Sequence, residues 1–123
     1  MTRRGVSSFV LGLLATAALV AGIVAPGGRA SSAATTTAVR VSASEFKYVL
    51  SKKAAPTGTV VFTLVNKGKL PHDFKIAGKK TARVAPGKSA TLRVTIAKKG
   101  RLSYLCTVPG HAAAGMKGVF AAG

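Results

Sequence analysis

Apolar and polar side chains alternate along most of the chain, from about residue 38 to its C-terminal end. Val39, Val41 and Ala43 share one side of the first such segment, with basic and hydroxyl residues between them. This period of two is typical of a β-strand that buries one face. The same alternation predicts further short strands within residues 45–50, 59–66, 72–76, 90–97, 101–106 and 117–121.

The alternating segments are separated by short turns rich in glycine, proline and lysine. Asn66-Lys-Gly, Ala85-Pro-Gly and Lys98-Lys-Gly supply residue types that chain reversals favour. Short alternating strands with such turns predict an antiparallel all-β sandwich or barrel. We expect one folded domain, because a chain of 123 residues can form only a single modest core.

The first 33 residues differ from the rest and resemble a signal peptide. A basic start is followed by an apolar run over residues 9–26 and by small residues that suit cleavage near Ala33. The alternative is an uncleaved anchor, because about 18 apolar residues is near the lower limit for spanning a bilayer. We therefore expect a signal segment at residues 1–33, a linker at 34–37 and a domain at 38–123. The domain would be exported, either free in the periplasm or medium or tethered to the outer face of a membrane.

The chain carries a large excess of positive charge. Nineteen lysines and arginines stand against two acidic residues, Glu45 and Asp73, which gives a net charge of +17. Removal of residues 1–33 leaves 16 basic residues and a net charge of +14. Such a domain attracts acidic proteins and anionic surfaces. The even spread of lysine and the scarcity of aromatic residues argue against a nucleic-acid partner.

The predicted domain contains four side chains of metal-binding type. They are the sole cysteine, both histidines and the only methionine after the initiator, at Cys106, His72, His111 and Met116. Taken singly, each could be an ordinary core residue, and the cysteine could be a free thiol. Alternation places His72 and Cys106 on buried faces at strand ends. The turn at Pro109-Gly110 can return His111 and Met116 to the same point.

Two imidazoles, a thiolate and a thioether form a set of donors that suits copper. Soft sulfur binds Cu(I), imidazole binds both oxidation states, and a weak thioether tunes the reduction potential. A structural zinc site would more often contain several cysteines. The four residues therefore predict a copper site rather than a zinc site.

The same residues resemble the motifs of the cupredoxins, the type 1 or blue copper proteins that include plastocyanin, azurin and sulfocyanin-like members. The resemblance covers about residues 39–120. It rests on Asn66-Lys-Gly, Leu70-Pro-His72-Asp-Phe, Ala85-Pro-Gly and the Cys-x4-His-x4-Met spacing after Tyr104. It implies an eight-stranded Greek-key β-sandwich and one-electron transfer. It also implies that one type 1 copper ion has His72, Cys106 and His111 as equatorial ligands and Met116 as axial ligand.

One position departs from the cupredoxin pattern. Many members have asparagine after the first histidine, where its side chain connects the ligand loop, but this chain has Asp73. A carboxylate close to a thiolate would disfavour the reduced site. Alternation points Asp73 away from the core, so we expect its carboxylate not to support the ligands.

These expectations describe an exported copper protein that transfers single electrons between redox partners. It is not expected to be an enzyme, because the copper site uses both histidines and leaves none for a catalytic copper. The small residues Ala112–Ala114 beside His111 suit a docking face, and we expect a monomer with an acidic redox partner. Association with a membrane surface stays open. The alternative is copper binding for delivery, storage or tolerance without a redox circuit.

Overall fold

The computed structural model describes residues 35–123, so the predicted signal segment lies outside the described residues. Within residues 35–123 no helix is long and apolar enough to cross a membrane. The same residues form nine strands: β1 Thr36–Ser44, β2 Lys47–Leu50, β3 Ala54–Ala55, β4 Gly58–Asn66, β5 Lys75–Ile76, β6 Lys79–Lys80, β7 Ser89–Ile96, β8 Gly100–Leu105 and β9 Lys117–Ala122.

The strands form two sheets. One has four strands in the order β2-β1-β4-β7, and the other has five in the order β3-β9-β8-β5-β6. β1 runs parallel to β4, with Thr36 opposite Thr59, and β3 runs parallel to β9. The remaining neighbours are antiparallel. Side chains from both sheets meet in one core, where the Phe62 and Phe120 rings lie 5.3 Å apart.

The core consists largely of the positions that alternation predicts. Burial alternates strictly along β1 from Thr37 to Ala43 and along β4 from Val60 to Asn66. The fully buried aliphatic and aromatic side chains on these two strands are Val39, Val41, Ala43, Val60, Phe62 and Leu64. A strand with one buried face forms wherever β-branched and aromatic residues recur every second position. The prediction of an all-β sandwich is confirmed.

Three details differ from the sequence-based expectation. The described residues form nine strands rather than eight, because the connections include the two-residue strands β3, β5 and β6. The sheets are mixed rather than purely antiparallel, because β1 pairs with β4 in parallel and β3 with β9. Along the chain, β2 and β3 form part of the connection that returns β4 to the direction of β1. β1 begins at Thr36, inside the predicted linker 34–37, because threonine fits a strand as well as the valines that follow.

Candidate metal centre

His72 lies in an irregular segment between β4 and β5. It forms an isolated bridge with Val84: the His72 N–H donates to the Val84 carbonyl over 3.1 Å, and the Val84 N–H donates back over 2.7 Å. The buried side chain of Asn66 donates to the carbonyls of Leu70 and Val84, each over 2.8 Å. Its Oδ1 accepts the Gly68 N–H over 2.9 Å. One buried amide therefore stabilises both the turn before His72 and the segment opposite it.

The other three candidate ligands lie on one loop between the neighbouring strands β8 and β9. The Cys106 N–H donates to the Met116 carbonyl over 3.0 Å, and the Met116 N–H donates to the His111 carbonyl over 3.1 Å. Gly110, with a φ of 83°, reverses the chain just before His111 in a conformation that glycine adopts without strain. These main-chain hydrogen bonds hold the three residues that carry the candidate donor atoms close together.

His72, Cys106 and His111 converge inside the domain. Nδ1 of His72 lies 3.1 Å from Nδ1 of His111, which lies 3.6 Å from Sγ of Cys106. The three donor atoms all lie within 4.8 Å of one another, and the three residues are buried. Nitrogen and sulfur atoms have separations of this order when they share one ion at distances of about 2.0 and 2.3 Å. The donors and their spacing therefore fit a single metal ion of the kind that the sequence predicts.

Met116 is fully buried and belongs to the hydrophobic core. Its main chain contacts both Cys106 and His111 through the hydrogen bonds described above. Its role as the axial ligand stays a prediction from the sequence, beside the simpler interpretation of a core methionine.

Glu45, in the turn between β1 and β2, contacts the outer side of His72. Its Oε1 lies 3.2 Å from Nε2 of His72 and also accepts the N–H groups of Lys69 over 2.7 Å and Leu70 over 2.8 Å. The Leu70 hydrogen bond is the main reason why the pKa of Glu45 falls to about 2, with further lowering by Lys69 and His72. The carboxylate is therefore ionised at neutral pH. Alternation gave no indication of this contact.

The predicted orientation of Asp73 is wrong. Its side chain is buried, and its Oδ1 accepts the Thr107 N–H over 2.6 Å, while Oδ2 accepts the Thr107 hydroxyl. Alternation fails here because residues 73 and 74 are not part of a strand, so successive side chains need not point to opposite faces. Asp73 thus connects the His72 segment to the residue after Cys106, as the family's asparagine was expected to do.

His111 is almost completely buried, at 7% exposure, and its ring packs against an aromatic neighbour. Phe46 meets it edge-on at 5.0 Å with an interplanar angle of 71°. Burial lowers the pKa of His111 below its ordinary value, and the adjacent His72 lowers it further. Both effects favour the neutral imidazole, which is the form that binds a metal. The sequence predicts a strand within residues 45–50, but Phe46 lies in the turn before β2 and is 38% exposed.

Tyr48 lies beneath the site. Its hydroxyl donates to the Asp73 carbonyl, and its ring meets those of Phe74 and Tyr104 edge-on at 5.4 and 5.7 Å. Burial raises the pKa of Tyr48 far above its ordinary value, and the proximity of Cys106 raises it further. The hydroxyl therefore stays protonated and remains a hydrogen-bond donor to the segment that carries His72.

Comparison with known proteins agrees with this geometry. A family model described as a cupredoxin-like domain matches residues 11–119. The chain belongs to the cupredoxin family. Among solved structures, dithionite-reduced auracyanin from the photosynthetic bacterium Roseiflexus castenholzii is 26% identical. It has a TM-score of 0.61, with 73% of this chain and 98% of that one covered.

Two more distant structures share the cupredoxin fold. Auracyanin A from Chloroflexus aurantiacus, described as a blue copper protein, is 14% identical, with a TM-score of 0.59 over 72% of this chain and all of that one. A copper nitrite reductase from Nitrosomonas europaea is 19% identical, with a TM-score of 0.58 over 72% of this chain but only 41% of that one. At these identities the likeness shows the fold alone. No curated protein sequence matches this chain significantly.

The cupredoxin motifs thus located the three converging donors but not the two carboxylates beside them. Glu45 and Asp73 are the only acidic residues in a chain with 19 basic ones. That scarcity was a signal in the sequence, because an acidic residue retained in so basic a chain is a candidate for a specific contact. Neither alternation nor the family motifs made use of it.

Proposed function

We propose that this cupredoxin is an exported carrier of single electrons, with one type 1 copper ion bound by His72, Cys106, His111 and Met116. The convergence of one nitrogen from each histidine with Sγ of Cys106, all within 4.8 Å of one another, is the observation that supports it most directly. Copper bound there would supply a couple between Cu(II) and Cu(I) for one-electron exchange.

The chain's own residues limit how far the site can change shape between the two oxidation states. Asn66 stabilises the His72 segment, Asp73 connects that segment to Thr107, and the Cys106 and Met116 main chains are joined directly. Each of these groups is buried or partly buried, so its movement would break a hydrogen bond that water does not readily replace. A site with little rearrangement suits rapid electron exchange and slow loss of the metal.

The proposed function is non-catalytic. The whole sequence has two histidines, and both belong to the candidate site, so none is left for a second copper of the kind that reduces a substrate. The copper nitrite reductase shares the fold, but this chain covers only 41% of that protein's length.

The proposed docking surface surrounds His111. Ala113 and Ala114 are exposed, and two larger apolar side chains are also accessible nearby: Phe46, which packs on His111, and Leu70, which is 42% exposed. The net charge of +14 expected for residues 34–123 would steer this surface towards an acidic redox protein. Export rests on the predicted signal segment at residues 1–33.

The decisive experiment adds Cu(II) to the protein expressed from the full chain. We expect intense blue absorption from thiolate-to-copper charge transfer, which Cys106→Ser abolishes. A matched control combines Cys106→Ser with Ser103→Cys, which keeps one thiol in the chain but places it at an exposed position of β8. A colourless wild-type protein, or blue colour in the control variant, would contradict the proposal.

A second measurement separates electron transfer from copper delivery. Electron transfer predicts fast electron self-exchange and slow loss of copper to a chelator, because the donors are buried. Sluggish self-exchange with rapid copper loss would favour delivery instead.

A further inference from the structure

The turn between β1 and β2 contacts both imidazoles of the candidate site. Its first residue, Glu45, forms a hydrogen bond with Nε2 of His72, and the next, Phe46, packs on the His111 ring. Neither residue belongs to the predicted ligand set. Two adjacent residues thus reach the two ring ligands from outside the site.

The Glu45 carboxylate packs against the turn at residues 68–70. Its Oε1 accepts the N–H groups of Lys69 and Leu70 in addition to the imidazole. A Cβ added at Gly68 would lie 2.4 Å from Oε1 and 2.9 Å from Cδ of Glu45. Gly68 does not have a left-handed φ, so its backbone conformation does not require glycine. The space that its missing side chain leaves is occupied by the carboxylate.

This contact determines which nitrogen of His72 faces the metal. Oε1 of Glu45 already accepts two backbone N–H groups, so this oxygen is an acceptor and Nε2 of His72 is the donor. In a neutral imidazole the other nitrogen then carries no proton, and its lone pair is available as a ligand. That nitrogen is Nδ1, which lies 3.1 Å from Nδ1 of His111 inside the site.

We propose that Glu45 is the positioning residue of His72 and that its negative charge favours the oxidised copper ion over the reduced one. The inference rests on the proposed function. Carboxylates behind metal-binding histidines orient the ring and increase its basicity. The chain has only two acidic residues, and they contact different parts of the candidate site. Glu45 contacts the imidazole of His72, whereas Asp73 contacts Thr107, the residue after Cys106.

Three variants separate the effect of Glu45 on the orientation of His72 from the effect of its charge. Glu45→Gln keeps an oxygen that can accept from Nε2 but removes the charge. Glu45→Ala removes both. Gly68→Ala changes no charge but places a methyl group where the carboxylate lies, so the side chain must move away. The control, Thr95→Lys, raises the net charge as Glu45→Gln does, at an exposed position of β7 opposite Thr59 at the start of β4, the end away from Asn66.

The first measurement is nitrogen NMR of the imidazoles in the copper-free protein. We expect wild type and Glu45→Gln to carry the His72 proton on Nε2. Glu45→Ala and Gly68→Ala should give a mixture of tautomers. Should either of these two variants fail to fold, the other still provides the test. Retention of the Nε2 tautomer in a folded Glu45→Ala or Gly68→Ala variant would overturn the positioning role.

The second measurement is the reduction potential of the copper-loaded proteins. Glu45→Gln should lower the ratio of Cu(II) to Cu(I) affinity by about tenfold, which corresponds to a rise of about 59 mV for a one-electron couple. Thr95→Lys should change it far less. Equal shifts in these two variants would overturn the role of the charge. A wild-type protein that gives no blue absorption with Cu(II) would instead refute the proposed function, while the copper-free tautomer measurement would still decide the orientation.

Discussion

The four-stranded sheet and the loops around the metal centre are stabilised in different ways. In β1 and β4, every second side chain is buried, and most of these side chains are apolar, the exceptions being Thr37 and Asn66 near one end of each strand. Each strand is positioned by its neighbours along its whole length. Around His72 and Cys106, short irregular segments are connected by the polar side chains of Asn66, Asp73 and Glu45.

The difference has a physical cause. Apolar burial is non-directional, so it specifies which face of a strand is inside without fixing the last ångström of a side chain. Hydrogen bonds to buried groups are directional, and a missing partner leaves a desolvated donor or acceptor at a cost of about 1–3 kcal/mol. The sheet should therefore determine stability, and the polar contacts should determine the geometry of the metal centre.

The largest expected effect is on the core side of this comparison. Phe62→Ala removes a fully buried ring that contacts Phe74 and Phe120. We expect the free energy of unfolding to fall by about 3–5 kcal/mol, because the site cannot close the cavity completely. Chemical denaturation of the copper-free protein measures this loss. Val49→Ala, at a 59% exposed position, is the control and should cost little. Loss of the blue band in folded Phe62→Ala would show that core and site are not separable.

Asn66→Ala tests the residue at which the two regions meet. It leaves the carbonyls of Leu70 and Val84 and the N–H of Gly68 without their side-chain partner. We expect a loss of about 2–3 kcal/mol in the free energy of unfolding together with faster copper release. Asn66→Asp retains an acceptor for Gly68 but places a buried carboxylate oxygen against the two carbonyls, so at neutral pH it should be at least as destabilising as alanine. A stability loss without faster copper release would mean that Asn66 supports the fold alone.

Asp73 should affect the metal centre more than the stability. Asp73→Ala removes both contacts to Thr107 and should cost about 1–2 kcal/mol. Asp73→Asn keeps an oxygen for the Thr107 N–H and should cost less stability. The reduction potential of the copper-loaded Asp73→Asn protein should rise, because an acidic group near Cys106 is lost. A double-mutant cycle with Thr107→Val measures the hydroxyl contact separately. Equal destabilisation by Ala and Asn would refute the role of the Thr107 N–H bond.

The smallest effect at neutral pH concerns Tyr48. Its pKa is raised in the folded protein, so its contribution to stability is complete below the ordinary tyrosine pKa of 10.0 and is lost as the pH rises above it. Relative to Tyr48→Phe, the wild type should lose about 1.4 kcal/mol per pH unit in that alkaline range. Denaturation of both copper-free proteins at several pH values measures the difference. Parallel stability profiles would contradict the raised pKa.

Sequence analysis anticipated the two regions to different degrees. Alternation predicted the buried faces of β1 and β4 correctly, because a period of two is a direct consequence of strand geometry. It also placed His72 and Cys106 inside the fold. It failed for Asp73, where the backbone leaves the strand conformation, and it included Phe46 in a predicted strand although the residue lies in a turn. Contacts such as Glu45 with His72 join residues 27 positions apart and leave no periodic trace.

The hairpin of β8 and β9 has a thermodynamic consequence. Cys106, His111 and Met116 lie within a stretch of eleven residues, so an unfolded chain keeps three of the four candidate donors close together. A metal that also binds the unfolded chain stabilises the folded protein by less than its affinity for the folded state implies. Copper should therefore raise the free energy of unfolding by an amount that reflects mainly what folding adds to the hairpin, which is the imidazole of His72 and the exclusion of water.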